Sequence, residues 1–70
     1  MNIEWVGDYR IKVEVDIDNA VVISANRDGL LSLARQLTTL AEESIGSHIH
    51  YGDYNSLEDG FIEMIIQKLW

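Results

Sequence analysis

The sequence predicts an α+β fold, in which a four-stranded antiparallel sheet carries one helix on one face. Apolar residues recur at spacings of three and four only between Asn26 and Gly46, so this segment is the predicted helix. Apolar and polar residues alternate from Tyr9 to Ile17, as in a strand with one buried face. Short apolar runs on both sides of the helix complete the order β-β-α-β-β, and the two layers are expected to share one core.

The predicted helix has recognisable ends. The Asn26 side chain can accept a hydrogen bond from a free N–H of the first turn, and Asp28 follows where the helix dipole favours negative charge. Gly46 is predicted to close the helix, because glycine readily adopts the left-handed conformation found at many helix ends. The apolar stripe expected to face the sheet consists of Leu30, Leu33, Ala34, Leu37, Leu40 and Ala41.

The first two strands, Tyr9 to Ile17 and Ala20 to Ala25, are predicted to form a β-hairpin. A two-residue loop would pair Ile17 with Ala20, whereas a three-residue loop would pair Ile17 with Val21. A shift of one residue exchanges the two faces of the second strand. The three-residue loop places Val21, Ile23 and Ala25 on the same face as the apolar residues of the first strand. This loop is favoured because these three side chains form the larger apolar set.

Two further strands are predicted at Ser47 to Tyr51 and at Phe61 to Leu69, joined by a loop from Gly52 to Gly60. The spatial order 1-2-4-3 places the two strands that are apolar on both faces in the middle, and 2-1-3-4 is the alternative. The face without a helix would then carry an apolar patch. It consists of Val22, Phe61 and Ile65 among the polar residues His48, His50, Lys12 and Glu63. Such a patch is typical of a surface that meets a partner or a second copy of the chain.

The length and composition favour one small domain spanning residues 1–70. The chain has no cysteine, so neither a disulfide nor a thiolate metal site is expected. It has no apolar run near the roughly 20 residues that cross a membrane, and its first residues do not resemble a signal peptide. We therefore expect a cytoplasmic protein without a membrane partner, and aromatic residues Trp5 and Trp70 that fasten the chain ends to the core.

The formal charge is −7, from 12 acidic and 5 basic residues. This balance argues against a nucleic-acid partner, which would require a basic patch. It is compatible with an acidic surface that attracts basic proteins, and equally with an acidic surface that only keeps the protein in solution.

Few residues suggest catalysis or metal binding. His48 and His50 project to the same side of a strand, and Glu63 on a neighbouring strand could add a carboxylate to a zinc site. This spacing is common by chance, so surface histidines without a metal are the favoured interpretation. No serine lies in a nucleophile motif and no glycine-rich phosphate loop is present, so neither an enzyme nor a cofactor is expected.

Three segments together resemble small bacterial immunity proteins of polymorphic toxin systems: Ser24 to Ala34, Ser47 to Tyr51, and Tyr54 to Glu58. The resemblance covers roughly residues 20–66 and rests mainly on the Ser-His-x-His segment and the Asn-x-Leu-Glu loop. It implies a protein that binds and neutralises a toxin domain without catalysis. One departure is Gly52, where a more polar residue is expected.

The positions matching this pattern are His48, His50, Asp53, Asn55, Leu57 and Glu58. Leu57 is expected to anchor the loop in the core. The predicted partner-binding residues are His48, His50, Asp53, Asn55, Glu58, Asp59 and Glu63. Two other functions stay open: a scaffold or regulatory subunit that forms a homodimer through its open sheet face, and a histidine-dependent metal-binding protein.

Overall fold

The computed structural model describes residues 1–53, 56–58, 60 and 62–70. Its elements are β1 (Ile11–Val15), β2 (Val21–Ala25), α1 (Arg27–Ala41), β3 (His48–Tyr51) and β4 (Met64–Gln67). The α+β class and the element order are as predicted. The single four-stranded sheet is wrong, because β1 pairs with β2 in one antiparallel sheet and β3 pairs with β4 in another.

The sheet divides because the chain between β3 and β4 lies along β1. Glu58 N–H donates to the Ile11 carbonyl (2.9 Å), and Ile62 N–H donates to the Val13 carbonyl (3.2 Å). Leu57 forms a parallel bridge with Ile11 and is buried, which confirms its predicted role as a core anchor. The predicted junction between the second and fourth strands is absent from the described residues, where β2 pairs only with β1.

The hairpin has the predicted loop length and faces but a different register. Val15 lies opposite Val21, and Asp16 N–H donates to the Ala20 carbonyl (3.0 Å), so the three-residue loop begins at Ile17. The Asp16 carboxylate accepts hydrogen bonds from two backbone N–H groups of the turn, which favours this position. Val21 therefore pairs with Val15 and not, as predicted, with Ile17. Because this is a shift of two residues, Val21 stays on the predicted face.

Asn26 is the N-cap of α1, as predicted. Its Oδ1 accepts from the backbone N–H groups of Gly29 (2.8 Å) and Arg10 (3.0 Å), and its Nδ2 donates to the Asp8 carbonyl (2.9 Å). Gly29 allows the close contact between helix and strand, since a Cβ there would lie 2.6 Å from the Arg10 carbonyl oxygen. The cap therefore fixes the helix and the chain entering β1 together.

The helix ends at Ala41, not at Gly46. Lys68 Nζ donates to the carbonyls of Ala41 (2.8 Å) and Glu43 (2.7 Å), so a cation beyond β4 satisfies the free carbonyls at this end. Gly46 does have a positive φ of 96°, but it leads into β3, and its N–H donates to the Lys68 carbonyl (2.8 Å).

The core draws on both sheets and the helix. Its buried apolar residues are Ile11, Val13, Leu33, Leu40, Ile49, Tyr51 and Leu57. Trp5 packs against this core, stacks on Tyr9 with ring centroids 4.2 Å apart, and meets Tyr51 edge-on, as predicted. The prediction is wrong for Trp70, which is 90% exposed. None of the described helices is long and apolar enough to cross a membrane.

The predicted apolar stripe of α1 is only half buried. Leu33 and Leu40 lie in the core, but Leu30 and Leu37 are 55% and 41% exposed. The other flank is polar and buried instead: Ser32 Oγ accepts from Val6 N–H (2.8 Å). On the same flank, Gln36 Nε2 donates to the Glu4 carbonyl (2.7 Å) and its Oε1 accepts from the Tyr51 hydroxyl (2.7 Å). The chain preceding β1 thus covers the polar flank.

Candidate functional site

The outer face of the β3–β4 hairpin carries both histidines. His48 and His50 are exposed while Ile49 and Tyr51 between and after them are buried, as the alternation predicts. Across the ladder His50 lies opposite Ile65, which is also exposed. We call this surface, formed by His48, His50, Glu63, Ile65 and Gln67, the histidine face.

One contact organises the histidine face. His50 Nε2 lies 3.1 Å from Glu63 Oε2, and both side chains are more than half exposed. Such an exposed pair contributes at most about 1 kcal/mol to stability, so the fold does not depend on it. Gly52 lies beneath: a Cβ there would come within 3.3 Å of Glu63 Oε1. The glycine that departs from the expected pattern therefore leaves room for this carboxylate.

The turn after β3 holds Asp53 on the surface. The Gly52 carbonyl accepts from the N–H groups of Ser56 and Leu57 (both 3.0 Å), and Gly52 N–H donates to Ser56 Oγ (3.2 Å). These bonds fix the turn on both sides of Asp53, which is exposed. The predicted partner-binding residues Asn55 and Asp59 lie outside the described residues.

Glu58 makes its contact elsewhere. Its Oε1 accepts from Arg10 Nε (2.8 Å), and this hydrogen bond, with the attraction between the charges, raises the pKa of Arg10. The pair borders a shallow groove of about 290 Å³ that also touches both strands of the first hairpin. The structure thus joins His50 with Glu63 and Glu58 with Arg10, instead of forming one cluster from the predicted residues.

The sequence profile of the family described as Immunity protein 32 matches residues 20–69. This match spans more than half of the chain, including β2, α1 and both strands of the histidine face. The chain belongs to the Immunity protein 32 family. The resemblance to immunity proteins of toxin systems is thereby confirmed. Comparisons with curated proteins and with solved structures give no match.

The acidic residues of this Immunity protein 32 family member are mostly not paired with bases. Among the described residues, Arg10 pairs with Glu58 and Arg27 lies 3.8 Å from Asp28, while Lys68 binds backbone carbonyls. Acids with no ion pair in this part of the chain are Glu4, Asp8, Glu14, Asp16, Asp18, Glu42, Glu43 and Asp53. Except at Asp16, whose carboxylate accepts two hydrogen bonds from the turn of the first hairpin, these charges have no ion pair in the fold and act on the surroundings.

No metal centre is assembled in residues 1–53, 56–58, 60 and 62–70 of this family member. That part of the chain contains no group of three or more His, Cys, Asp or Glu side chains placed to hold an ion. His50 and Glu63 are in contact, but His48 is not placed to act with them as a third metal ligand.

Arg10 is a residue of this region that the sequence does not identify. It belongs to the polar face of the predicted first strand and is separated from Glu58 by 48 positions. The Asn-x-Leu-Glu loop indicates this pair only in part. Leu57 is buried against β1, which brings the following residue, Glu58, close to Arg10 at the start of β1.

Proposed function

We propose that this chain binds a bacterial toxin domain directly and thereby blocks it, without catalysis, metal or cofactor. The observation that carries the proposal is membership of the Immunity protein 32 family over residues 20–69. Direct binding is consistent with a small chain that displays polar side chains on the exposed face of β3 and β4.

The proposed contact surface is the histidine face with the turn beside it. His50 and Glu63 bond to each other at the surface, where either side chain can exchange that bond for one to a partner with little loss of stability. Asp53 is exposed next to them. The full set proposed to bind the toxin comprises His48, His50, Asp53, Asn55, Glu58, Asp59 and Glu63.

We further propose that the toxin presents a basic surface. The chain carries a net charge of −7, and most described acids lack a cationic neighbour. Opposite charges on two proteins accelerate their encounter, and salt screens this effect over about 10 Å at 0.1 M ionic strength. The association rate is therefore expected to fall steeply as salt is added, while the dissociation rate changes less.

The direct test is co-expression with a candidate toxin domain, taken first from any that is encoded beside this chain. Growth should be restored, and the two proteins should elute together from a sizing column. Absence of rescue together with absence of a complex would contradict the proposed function.

Two single substitutions test the contact surface. His50→Ala and Glu63→Ala are each expected to weaken toxin binding more than about tenfold, because removing one partner of a charged hydrogen bond that an interface buries costs about 2 kcal/mol or more. The matched control is Glu42→Ala, which removes one exposed acid at the end of α1, outside the proposed surface. If Glu42→Ala weakens binding as much as Glu63→Ala, net charge and not the histidine face determines affinity.

A further inference from the structure

Arg10 is held through both its backbone and its side chain. Its N–H donates to Asn26 Oδ1 (3.0 Å), and its carbonyl accepts from Asn26 N–H (3.1 Å). Its side-chain Nε donates to Glu58 Oε1 (2.8 Å). Glu58 is held in turn, because its own N–H donates to the Ile11 carbonyl (2.9 Å). The guanidinium of Arg10 is thus oriented by a hydrogen bond to an anchored residue, although its side chain is 75% exposed.

The contact with Glu58 uses only the Nε of this guanidinium. Arginine presents its N–H donors as a planar fork, and all but one belong to Nη1 and Nη2. Within residues 1–53, 56–58, 60 and 62–70, no hydrogen bond leaves Nη1 or Nη2 of Arg10. Two parallel N–H groups of such a fork match the two oxygens of a carboxylate. Arg10 therefore offers an oriented bidentate donor to a group outside the described part of the chain.

The groove beside Arg10 has a charge opposite to that of the whole chain. Its described lining residues include two cations, Arg10 and Lys12, and one acid, Glu58, whereas the chain carries a net charge of −7. An excess of one positive charge suits a carboxylate, which is a monoanion. A phosphate carries a charge nearer −2 and would be repelled more strongly by the surrounding acids. The groove is too shallow to enclose a small free ligand, so the carboxylate is expected on the surface of a protein.

We propose that the toxin domain presents a carboxylate to Arg10, which binds it through Nη1 and Nη2 while Glu58 positions the guanidinium. This inference rests on the proposed function and adds to it a contact of opposite charge. The groove adjoins the proposed contact surface, because the Gly52 carbonyl accepts from Leu57 N–H (3.0 Å). Asp53 and Glu58 follow these two residues directly, so both lie beside the same turn.

Arg10 makes binding selective among toxins with a basic surface. The acids of the chain attract every such toxin. An exposed cation repels a basic surface unless an acid lies opposite to it, and like charges brought together in an interface lower the affinity. A toxin with a carboxylate at this point gains a bidentate contact, whereas a toxin without one meets a repulsive charge. Arg10 is therefore a specificity-determining residue, and Glu58 is its positioning residue.

Substitution of Arg10 tests this contact through the sign of the effect. The probe is the toxin domain that co-elutes with the unaltered chain, and titration calorimetry measures its dissociation constant. Arg10→Gln should raise this constant more than about tenfold, although the variant is more acidic. Arg10→Lys keeps the charge but lacks the planar fork, so it should recover only part of the loss. The matched control, Arg35→Gln, removes the same charge at an exposed position of α1 and should leave binding unchanged or slightly tighter.

Glu58→Ala separates a positioning role from a direct contact with the toxin. Alone, it should weaken binding, because the guanidinium of Arg10 loses the bond that orients it. In the Arg10→Gln background it should have little further effect, since Glu58 acts through Arg10. Additive losses would contradict the positioning role. Far-UV circular dichroism verifies that each variant folds.

The proposal is overturned if Arg10→Gln binds the toxin domain as tightly as the unaltered chain or more tightly, since general attraction between opposite charges then determines affinity. It is equally overturned if Arg35→Gln weakens binding as much as Arg10→Gln. Both results leave the proposed function intact, because the unaltered chain still binds the toxin. Absence of any complex with the unaltered chain contradicts the proposed function itself, and this inference with it.

Discussion

The burial of the two flanks of α1 is the reverse of what their polarity predicts. The flank with Ser32 and Gln36 is polar and fully buried, whereas the flank with Leu30 and Leu37 is apolar and exposed. Burial of apolar area contributes about 25 cal/mol per Å², so polarity alone predicts the reverse arrangement. A second effect must therefore decide which flank the chain covers.

That effect is the demand of backbone groups for hydrogen bonds. The segment before β1 packs Trp5 on the core but pairs with no strand in the described part of the chain. Its partly buried N–H and C=O groups need other partners, and the helix supplies them: Ser32 accepts from Val6, and Gln36 donates to Glu4. No buried side-chain polar atom among the described residues lacks a partner.

Replacing Gln36 with leucine should destabilise the polar flank most strongly. Gln36→Leu keeps the side-chain size but removes the partners of the Glu4 carbonyl and the Tyr51 hydroxyl. A buried group left without a partner costs about 1–3 kcal/mol, and the partly buried Glu4 carbonyl costs less than the buried Tyr51 hydroxyl. The free energy of unfolding should therefore fall by up to about 3 kcal/mol. Urea denaturation followed by circular dichroism measures the change.

The control for this variant is Arg35→Leu, at the neighbouring exposed position of the same helix. It should change the free energy of unfolding by less than about 0.5 kcal/mol, as is usual at exposed surface sites. Equal effects at positions 35 and 36 would show that the buried polar flank does not depend on its hydrogen bonds.

Alkaline pH should weaken the same flank. Burial raises the pKa of Tyr51 to about 12, from an unfolded value near 10. Between these values the folded protein retains a proton that the unfolded chain loses, so stability falls as pH rises through this window. Two pKa units correspond to about 2.7 kcal/mol, which is the upper limit of the loss above pH 12. Denaturant midpoints measured between pH 9 and about 12 give the slope.

The reference for this experiment is Tyr51→Phe, which lacks the ionisable hydroxyl. It should be less stable at neutral pH, because the Gln36 Oε1 loses its donor. Its stability should then fall less between pH 10 and about 12, since it has no Tyr51 hydroxyl that could lose a proton. Parallel pH profiles for the two proteins would contradict a buried, protonated Tyr51.

Local signals in the sequence predict those parts of the fold that local physics decides. The Asn26 cap, the faces of the first hairpin and the inward position of Leu57 all follow from neighbouring residues. The division into two sheets does not, because it depends on bonds from Glu58 and Ile62 to β1 across the chain. Nor does the helix end, which Lys68 caps from beyond β4.

The candidate site shows the same division. Alternation along β3 places His48 and His50 outside, and the ladder brings Glu63 near His50. The Arg10–Glu58 pair is not predictable in this way, since its residues are 48 positions apart. Periodicity also identified the apolar stripe of α1 but not the layer that would cover it. An apolar stripe in a sequence predicts that one face of a helix is buried, but it does not show which part of the molecule packs against that face.

The smallest effect is expected on the apolar flank, from Leu37→Gln. Leu37 is 41% exposed, and leucine and glutamine have similar helix propensities, so the protein should lose less than about 0.5 kcal/mol of stability. The measurement is urea denaturation followed by circular dichroism. A loss of about 2 kcal/mol would instead place Leu37 in the core and remove the difference between the two flanks.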